Sequence, residues 1–249
     1  MRLIYSAIGN IRKRETEHVT RTLYELQGQD DKRFSPFCWR TRMALAHKGL
    51  EATFEPVQFS QKDKIAFSNQ KLVPVLRDGE TVIADSWTIA CYLEDKYPDA
   101  ASLFGGSVGQ GLARNMNFWV DMSIHPALAR VIVADTFDNA IDTADQVYFR
   151  ESRESRFGMT LEEFSPRSDA DVSKLQNVLS PAIATLNVQP FLSGDAPAYA
   201  DYILFGTVKW AAASTDRIVF PNDGPFGAWL IRMYDLFDGY ARTSGAAAA

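Results

Sequence analysis

Three short segments of this chain hold residues whose types and settings suit the binding of a small charged molecule. Ser35-Pro36 opens an apolar-periodic stretch that runs to Lys48 and is closed by Gly49. Serine at the N-cap, proline in the first turn and glycine past the end mark a helix at both ends. Unpaired N–H groups and the positive end of the helix dipole gather at such a start. An anion is stabilised there, and a thiol's pKa falls below its usual value of about 8.5. The same serine also reads as a plain cap, a role contributing about 1 kcal/mol. Val73-Pro74 stands at the head of an apolar run. It either turns its backbone outward through a cis bond or opens an edge strand in the ordinary trans form. Asp85-Ser86 precedes a second helical pattern and offers N–H donors, a hydroxyl and a carboxylate. That set suits a ligand carboxylate beside an ammonium group, and it also suits a simple helix cap.

The elements that must carry these segments follow from local pattern. Thr22 to Leu26 is a first strand, and Pro36 to Lys48 the helix after it. Thr53 to Val57 reads as a second strand, with Pro56 placing it at a sheet edge. Ser60 to Ser68 forms a short helix. Val73 to Leu76 and Thr81 to Ala84 flank Asp78-Gly79, the strongest short hairpin signal. Ile89, Tyr92, Leu93 and Tyr97 recur at helical spacing after Asp85-Ser86, and Pro98 ends that helix. The order βαβαββα is that of a thioredoxin-like α/β domain over residues 21–98. Small, glycine-containing residues 99–106 read as a linker. Residues 107–249 read as all-α, with helices over Leu112 to Ala134, Asp142 to Phe157, Asp169 to Leu186, Asp201 to Ser214 and Phe226 to Tyr240.

Composition removes several function classes. The chain has 249 residues, with 31 acidic against 26 basic side chains and a net charge of -5, so no basic footprint for nucleic acid is expected. Two cysteines, Cys38 and Cys91, and three histidines give neither a disulfide framework nor a metal site, and suit a reducing, cytoplasmic setting. No apolar run is long enough to span a membrane. Residues 1–20 carry charges too early for a secretory signal and read as an extension, and Gly245 to Ala249 as a frayed tail.

Taken in order, Ser35-Pro36-Phe37-Cys38-Trp39-Arg40, Leu72-Val73-Pro74-Val75-Leu76 and Asp85-Ser86-Trp87-Thr88-Ile89-Ala90 resemble the glutathione-contacting segments of the cytosolic glutathione transferases. Asp195 to Leu204 is similar to that family's helix-capping motif. Trp39-Arg40-Thr41, Asp85-Ser86-Trp87, Tyr97-Pro98-Asp99 and Asp235-Leu236-Phe237-Asp238-Gly239 resemble, more narrowly, the bacterial β-aryl etherases and their fungal relatives. The resemblance implies a homodimer that uses glutathione as co-substrate, without a metal, to attack an aromatic electrophile, in the narrow branch the ether bond of lignin-derived aryl ethers. It implies that Ser35 activates the thiol and that Ser35, Phe37, Lys71, Leu72, Val73, Pro74, Asp85 and Ser86 line the tripeptide site, with Val73-Pro74 cis. Two positions depart from the family: Leu72 stands where Lys, Arg or Gln is usual, and Ala198 where a capping side chain is usual.

In the helical half, Phe118, Trp119, Met122, Tyr148 and Phe149 suit an apolar acceptor pocket or a core equally well. His125-Pro126 marks a kink, and His125 is a pocket candidate or a structural histidine. Arg150, Arg153 and Arg156, interleaved with Glu151 and Glu154, read as a solvated face. Cys38 is either a core residue or a reactive thiol in the helix's first turn, so two alternatives stand beside the transferase: a non-catalytic glutathione or aromatic-ligand binding protein, and a thiol–disulfide reductase using Cys38.

Overall fold

The computed structural model describes residues 21–242, so the extension at 1–20 and the tail at 245–249 lie outside the described residues. The first half is built from β1 (Arg21–Leu26), α1 (Pro36–His47), β2 (Thr53–Val57), β3 (Val75–Asp78), β4 (Thr81–Ala84) and α2 (Ser86–Lys96), with a 3-10 segment at Lys62–Ser68. The sheet order is β2-β1-β3-β4. β1 pairs parallel with β2 across the α1 crossover and antiparallel with β3. β2, which carries Pro56, is an edge strand, where a missing N–H leaves no ladder bond unmade. Asp78 pairs with Thr81 around Gly79, whose φ of 59° is the left-handed conformation that favours glycine. The third strand starts at Val75, two residues later than its sequence pattern implies, and the Val73–Pro74 bond ahead of it is cis.

The second half is helical: α3 (Ser107–Trp119), α4 (His125–Ala140), α5 (Gln146–Phe157), α6 (Leu161–Phe164), α7 (Asp169–Val178), α8 (Ser180–Leu186), α9 (Tyr199–Ser214) and α10 (Gly224–Gly239). Two of the expected long helices are each divided. Val120–Ile124 is a π-turn that separates α3 from α4, immediately before Pro126, whose ring nitrogen has no hydrogen to donate. Leu179 separates α7 from α8, and Pro181 lies in the first turn of the latter.

The connection at 99–106 is packed rather than loose. Leu103 and Phe104 are buried, Leu103 N–H donates to Glu94 at 2.9 Å, and the Leu103 carbonyl accepts from Tyr199 N–H at 3.0 Å. One core cluster runs through both halves, from Leu23, Trp39 and Met43 to Phe205, Phe226 and Trp229. Asp201 anchors the helical half: its carboxylate accepts from the N–H groups of Leu192, Ser193 and Ala198 at 2.7, 3.1 and 3.2 Å, and from Trp229 Nε1 at 2.9 Å. Ala198 gives α9 no side-chain cap, as its sequence implies, and the carboxylate of Asp201 reaches back to supply the other half of a capping box.

Candidate active site

Ser35 is the N-cap of α1. Its Oγ accepts the Cys38 N–H at 3.3 Å, and its backbone is extended at φ -71° and ψ 119°. A buried ion network fixes the loop before it. Glu25 of β1 receives Arg33 Nη1 at 2.7 Å and is clasped by Arg42 of α1, while the Arg33 carbonyl accepts the indole N–H of Trp39. All three charged groups are buried, so the network needs its full set of partners, and that requirement holds the start of α1 in one place.

Ser35 opens onto a cavity of about 660 Å³ between the halves, within the usual size range for a small-molecule site. The thioredoxin-like half contributes Phe34, Phe37, Val57, Phe59, Lys62, Lys71, Leu72 and Val73. From the helical half come Asp121, His125, Ala129, Phe149, Arg153, Arg156, Phe164 and Trp210. Side chains from both halves brace it. Asp145 accepts the N–H groups of Phe59 and Ser60 at 2.9 and 2.8 Å. Arg40 of α1 reaches Asp121 at 2.7 Å and Asn117 at 3.1 Å. Tyr199 donates its hydroxyl to the carbonyl of Ser86 at 2.8 Å.

Of the residues expected in a tripeptide site, Ser35, Phe37, Lys71, Leu72 and Val73 share this cavity. Pro74 is buried just behind Val73, and its carbonyl accepts the Asp85 N–H at 3.3 Å, which ties the third segment to the second. Asp85 and Ser86 lie beside the cavity and do not line it. Asp85 is exposed at φ 75° and caps α2 through Thr88 N–H at 3.0 Å, and Ser86 is buried under Tyr199. Leu72 is 75% exposed, so an apolar side chain projects at the departure from the family pattern.

His125 lines the cavity. Its Nε2 is 2.9 Å from Thr207 Oγ1, its Nδ1 is 3.5 Å from Asp121, and Phe37 meets the ring edge-on. Burial, helped by the charge of Arg40, lowers its pKa to about 3, so the imidazole is neutral at ordinary pH. The other acceptor-pocket expectations need correction. Phe118 and Met122 are exposed and Trp119 turns to a different groove near the interdomain connection, so none of the three lines the cavity. The reason is the π-turn. Asp121, His125, Ala129 and Val133 form the cavity-facing row, and the extra residue per turn rotates what precedes it by about 100° out of register.

Sequence reasoning missed Phe34, Phe59, Lys62, Phe164 and Trp210 as lining residues, and it misread Arg153. Arg150 is the solvated, paired residue of the run, bonded to Glu154 and Glu162 at 2.9 Å each. Arg153 turns inward over the rings of Phe149 and Phe59, its guanidinium carbon 4.3 and 5.2 Å from their centres. The signal was available: Phe149, Arg153 and Phe157 recur at four-residue spacing on α5. Cys38 is 1% exposed, and burial pushes its thiol up to about 12 although Ser35 hydrogen-bonds it. A thiol so held is a poor nucleophile, which argues against the reductase alternative. Among the described residues, no group of three or more His, Cys, Asp or Glu side chains could hold a metal ion, and no helix is long and apolar enough to cross a membrane.

Comparison with known proteins agrees with this architecture. The chain matches the glutathione S-transferase N-terminal domain over residues 34–96 and the C-terminal domain over residues 112–231. It is similar to the glutathione S-transferase-like protein ustS of Aspergillus flavus, with 26% identity over 140 residues, covering 51% of this chain and 49% of that protein. The chain thus spans about half the length of that relative. In fold it is similar to glutathione transferase GSTFuA3 of Phanerochaete chrysosporium, at 24% identity and a TM-score of 0.77, covering 89% of this chain and 97% of the other. It is also similar to the glutathione S-transferase CsGST63524 of Ceriporiopsis subvermispora, solved in complex with glutathione, at 23% identity and a TM-score of 0.75 over the same shares.

Proposed function

Because this chain belongs to the glutathione S-transferase superfamily, we propose that it is a catalyst in which Ser35 activates the glutathione thiol for attack on an aromatic electrophile. One observation carries this reading: the N-cap of α1 opens onto a cavity whose opposite wall is aromatic and comes from the helical half. The first-turn N–H groups and the helix dipole favour a thiolate over a thiol, and the Ser35 hydroxyl adds a hydrogen bond to the charged form. Lys71, Leu72 and Val73 line the thioredoxin-like side of the cavity, which suits the tripeptide. Val73 precedes the strand ladder that begins at Val75, so its peptide groups are available to pair with the cysteinyl unit as an added strand would. Asp85 and the buried start of α2 suit the γ-glutamyl ammonium and carboxylate.

The reaction proposed is displacement at carbon. The sulfur anion forms a C–S bond at the carbon that bears the aryloxy group, the bond between that carbon and the ether oxygen breaks, and its electron pair leaves on oxygen as a phenolate that water protonates. Cleavage of lignin-derived β-aryl ethers is the specific form of this chemistry. The reading carries with it a cytoplasmic homodimer.

The test is turnover of a panel of aryl ethers and general electrophiles with glutathione, wild type against Ser35→Ala. Loss of a hydrogen bond to the reacting anion lowers kcat by about 100-fold or more. Unchanged turnover would remove Ser35 from the mechanism. Glutathione binding with no turnover of any electrophile would leave a binding protein in its place.

A further inference from the structure

Four cationic side chains line the cavity, Lys62, Lys71, Arg153 and Arg156, against one carboxylate, Asp121. Asp121 is already committed, held by Arg40 at 2.7 Å and by the Asn117 amide at 2.8 Å. Lys62 donates to the Tyr148 hydroxyl at 2.8 Å, and Lys71 stands with Leu72 and Val73 on the thioredoxin-like side. Arg153 and Arg156 differ from these in coming from α5, in the helical half. Among the described residues neither has a carboxylate at ion-pairing distance, whereas Arg150, on the same helix, has two. Arg153 Nη1 bonds only a neutral hydroxyl, that of Ser152 at 2.8 Å, and its guanidinium is half-buried over two aromatic rings. Burial and the neighbouring charge of Arg156 lower its pKa from the ordinary arginine value, as expected for a cation without a counter-charge.

We propose that the second substrate is an aromatic electrophile bearing an anionic group of the carboxylate class, with its ring against the cavity's aromatic wall and its anion received by Arg153 and Arg156. The inference rests on the transferase reading above and narrows it to a substrate class. The half-buried Arg153 guanidinium, with the exposed Arg156 beside it at the cavity's edge, favours an anion most strongly when that anion arrives with an apolar body for the aromatic wall. The two walls separate the roles: the tripeptide's own carboxylates fall to Lys71 and the start of α2, and the acceptor's to α5.

The test compares 4-(chloromethyl)benzoate with its methyl ester, each with glutathione, in wild type, Arg153→Gln and Arg153→Lys. Wild type is expected to show the higher kcat/KM on the benzoate. Arg153→Gln is expected to reduce the benzoate-to-ester ratio of kcat/KM by about 10- to 100-fold, the range for a hydrogen bond to a charged group, and Arg153→Lys to restore part of it. An unmoved ratio overturns the proposal, as does a change confined to the KM for glutathione, which would put Arg153 with the tripeptide. If neither electrophile is turned over, the transferase reading fails first. The anion site is then read by equilibrium dialysis of naphthalene-2-carboxylate and its methyl ester. Carboxylate binding that weakens in Arg153→Gln and Arg156→Gln supports the proposal, and equal binding of acid and ester overturns it.

Discussion

Gly206 of α9 approaches the Pro36 carbonyl so closely that a Cβ placed on it would stand 2.4 Å from that oxygen and 3.2 Å from its carbon. Both atoms are backbone, at the first turn of the helix that Ser35 caps, so no side chain can swing aside to make room. Relief would require α1 and α9 to part. Gly206→Ala is therefore expected to destabilise the fold: overpacking costs about 1–3 kcal/mol, more than the gain of about 1 kcal/mol from alanine's helix propensity. Urea unfolding measures this, and a midpoint equal to or above that of wild type would show that the two helices are not locked.

The Asp201 carboxylate accepts four N–H groups drawn from three places in the chain. Asp201→Ala leaves these donors without it. At about 1–3 kcal/mol for each buried donor left unmade, the expected loss for the four is at least about 4 kcal/mol. A loss below about 1 kcal/mol in the same urea assay would mean that water replaces the carboxylate without penalty.

His125 gives a pH signature. Its folded-state pKa is near 3 against 6.5 for an unperturbed side chain. Below pH 6.5 the unfolded chain takes up a proton that the folded chain refuses, so stability present above that pH is lost as the pH falls towards 3. One proton corresponds to about 1.4 kcal/mol per pH unit. Unfolding free energy is expected to fall less steeply with acid in His125→Gln than in wild type. Parallel curves would contradict a neutral, desolvated imidazole.

Cys38 is expected to resist alkylation in the native protein and to react fully in urea, as judged by peptide mapping after iodoacetamide. Cys38→Ala is expected to leave turnover with glutathione unchanged. Native labelling at the rate of a free thiol would restore the thiol–disulfide alternative.

Local punctuation made the first half readable. Ser35, Pro36 and Gly49 bound α1, Asp78-Gly79 turns the hairpin, and Pro56 marks the edge strand, because caps, turns and missing donors act over a few residues. The acceptor wall was harder. Which face of a helix meets a cavity depends on tertiary contacts, and the π-turn at Val120–Ile124 broke the spacing that would have joined Phe118 and Met122 to His125. Arg153 was hidden by its charged neighbours: alternating acids and bases suggest a wet surface, yet among the described residues only Arg150 of the three is paired with acids. The contact of Gly206 with Pro36 had no local signal, since it joins residues far apart in the chain.

The apolar cluster running from Leu23 to Trp229 crosses between the two halves, so they are expected to melt as one unit. Trp39 and Met43 share that cluster with Phe205 and Trp229, so a fragment ending near residue 98 would lose their packing against the helical half. Calorimetry of the intact chain should accordingly record one heat-absorption peak rather than two, and activity should vanish in step with it.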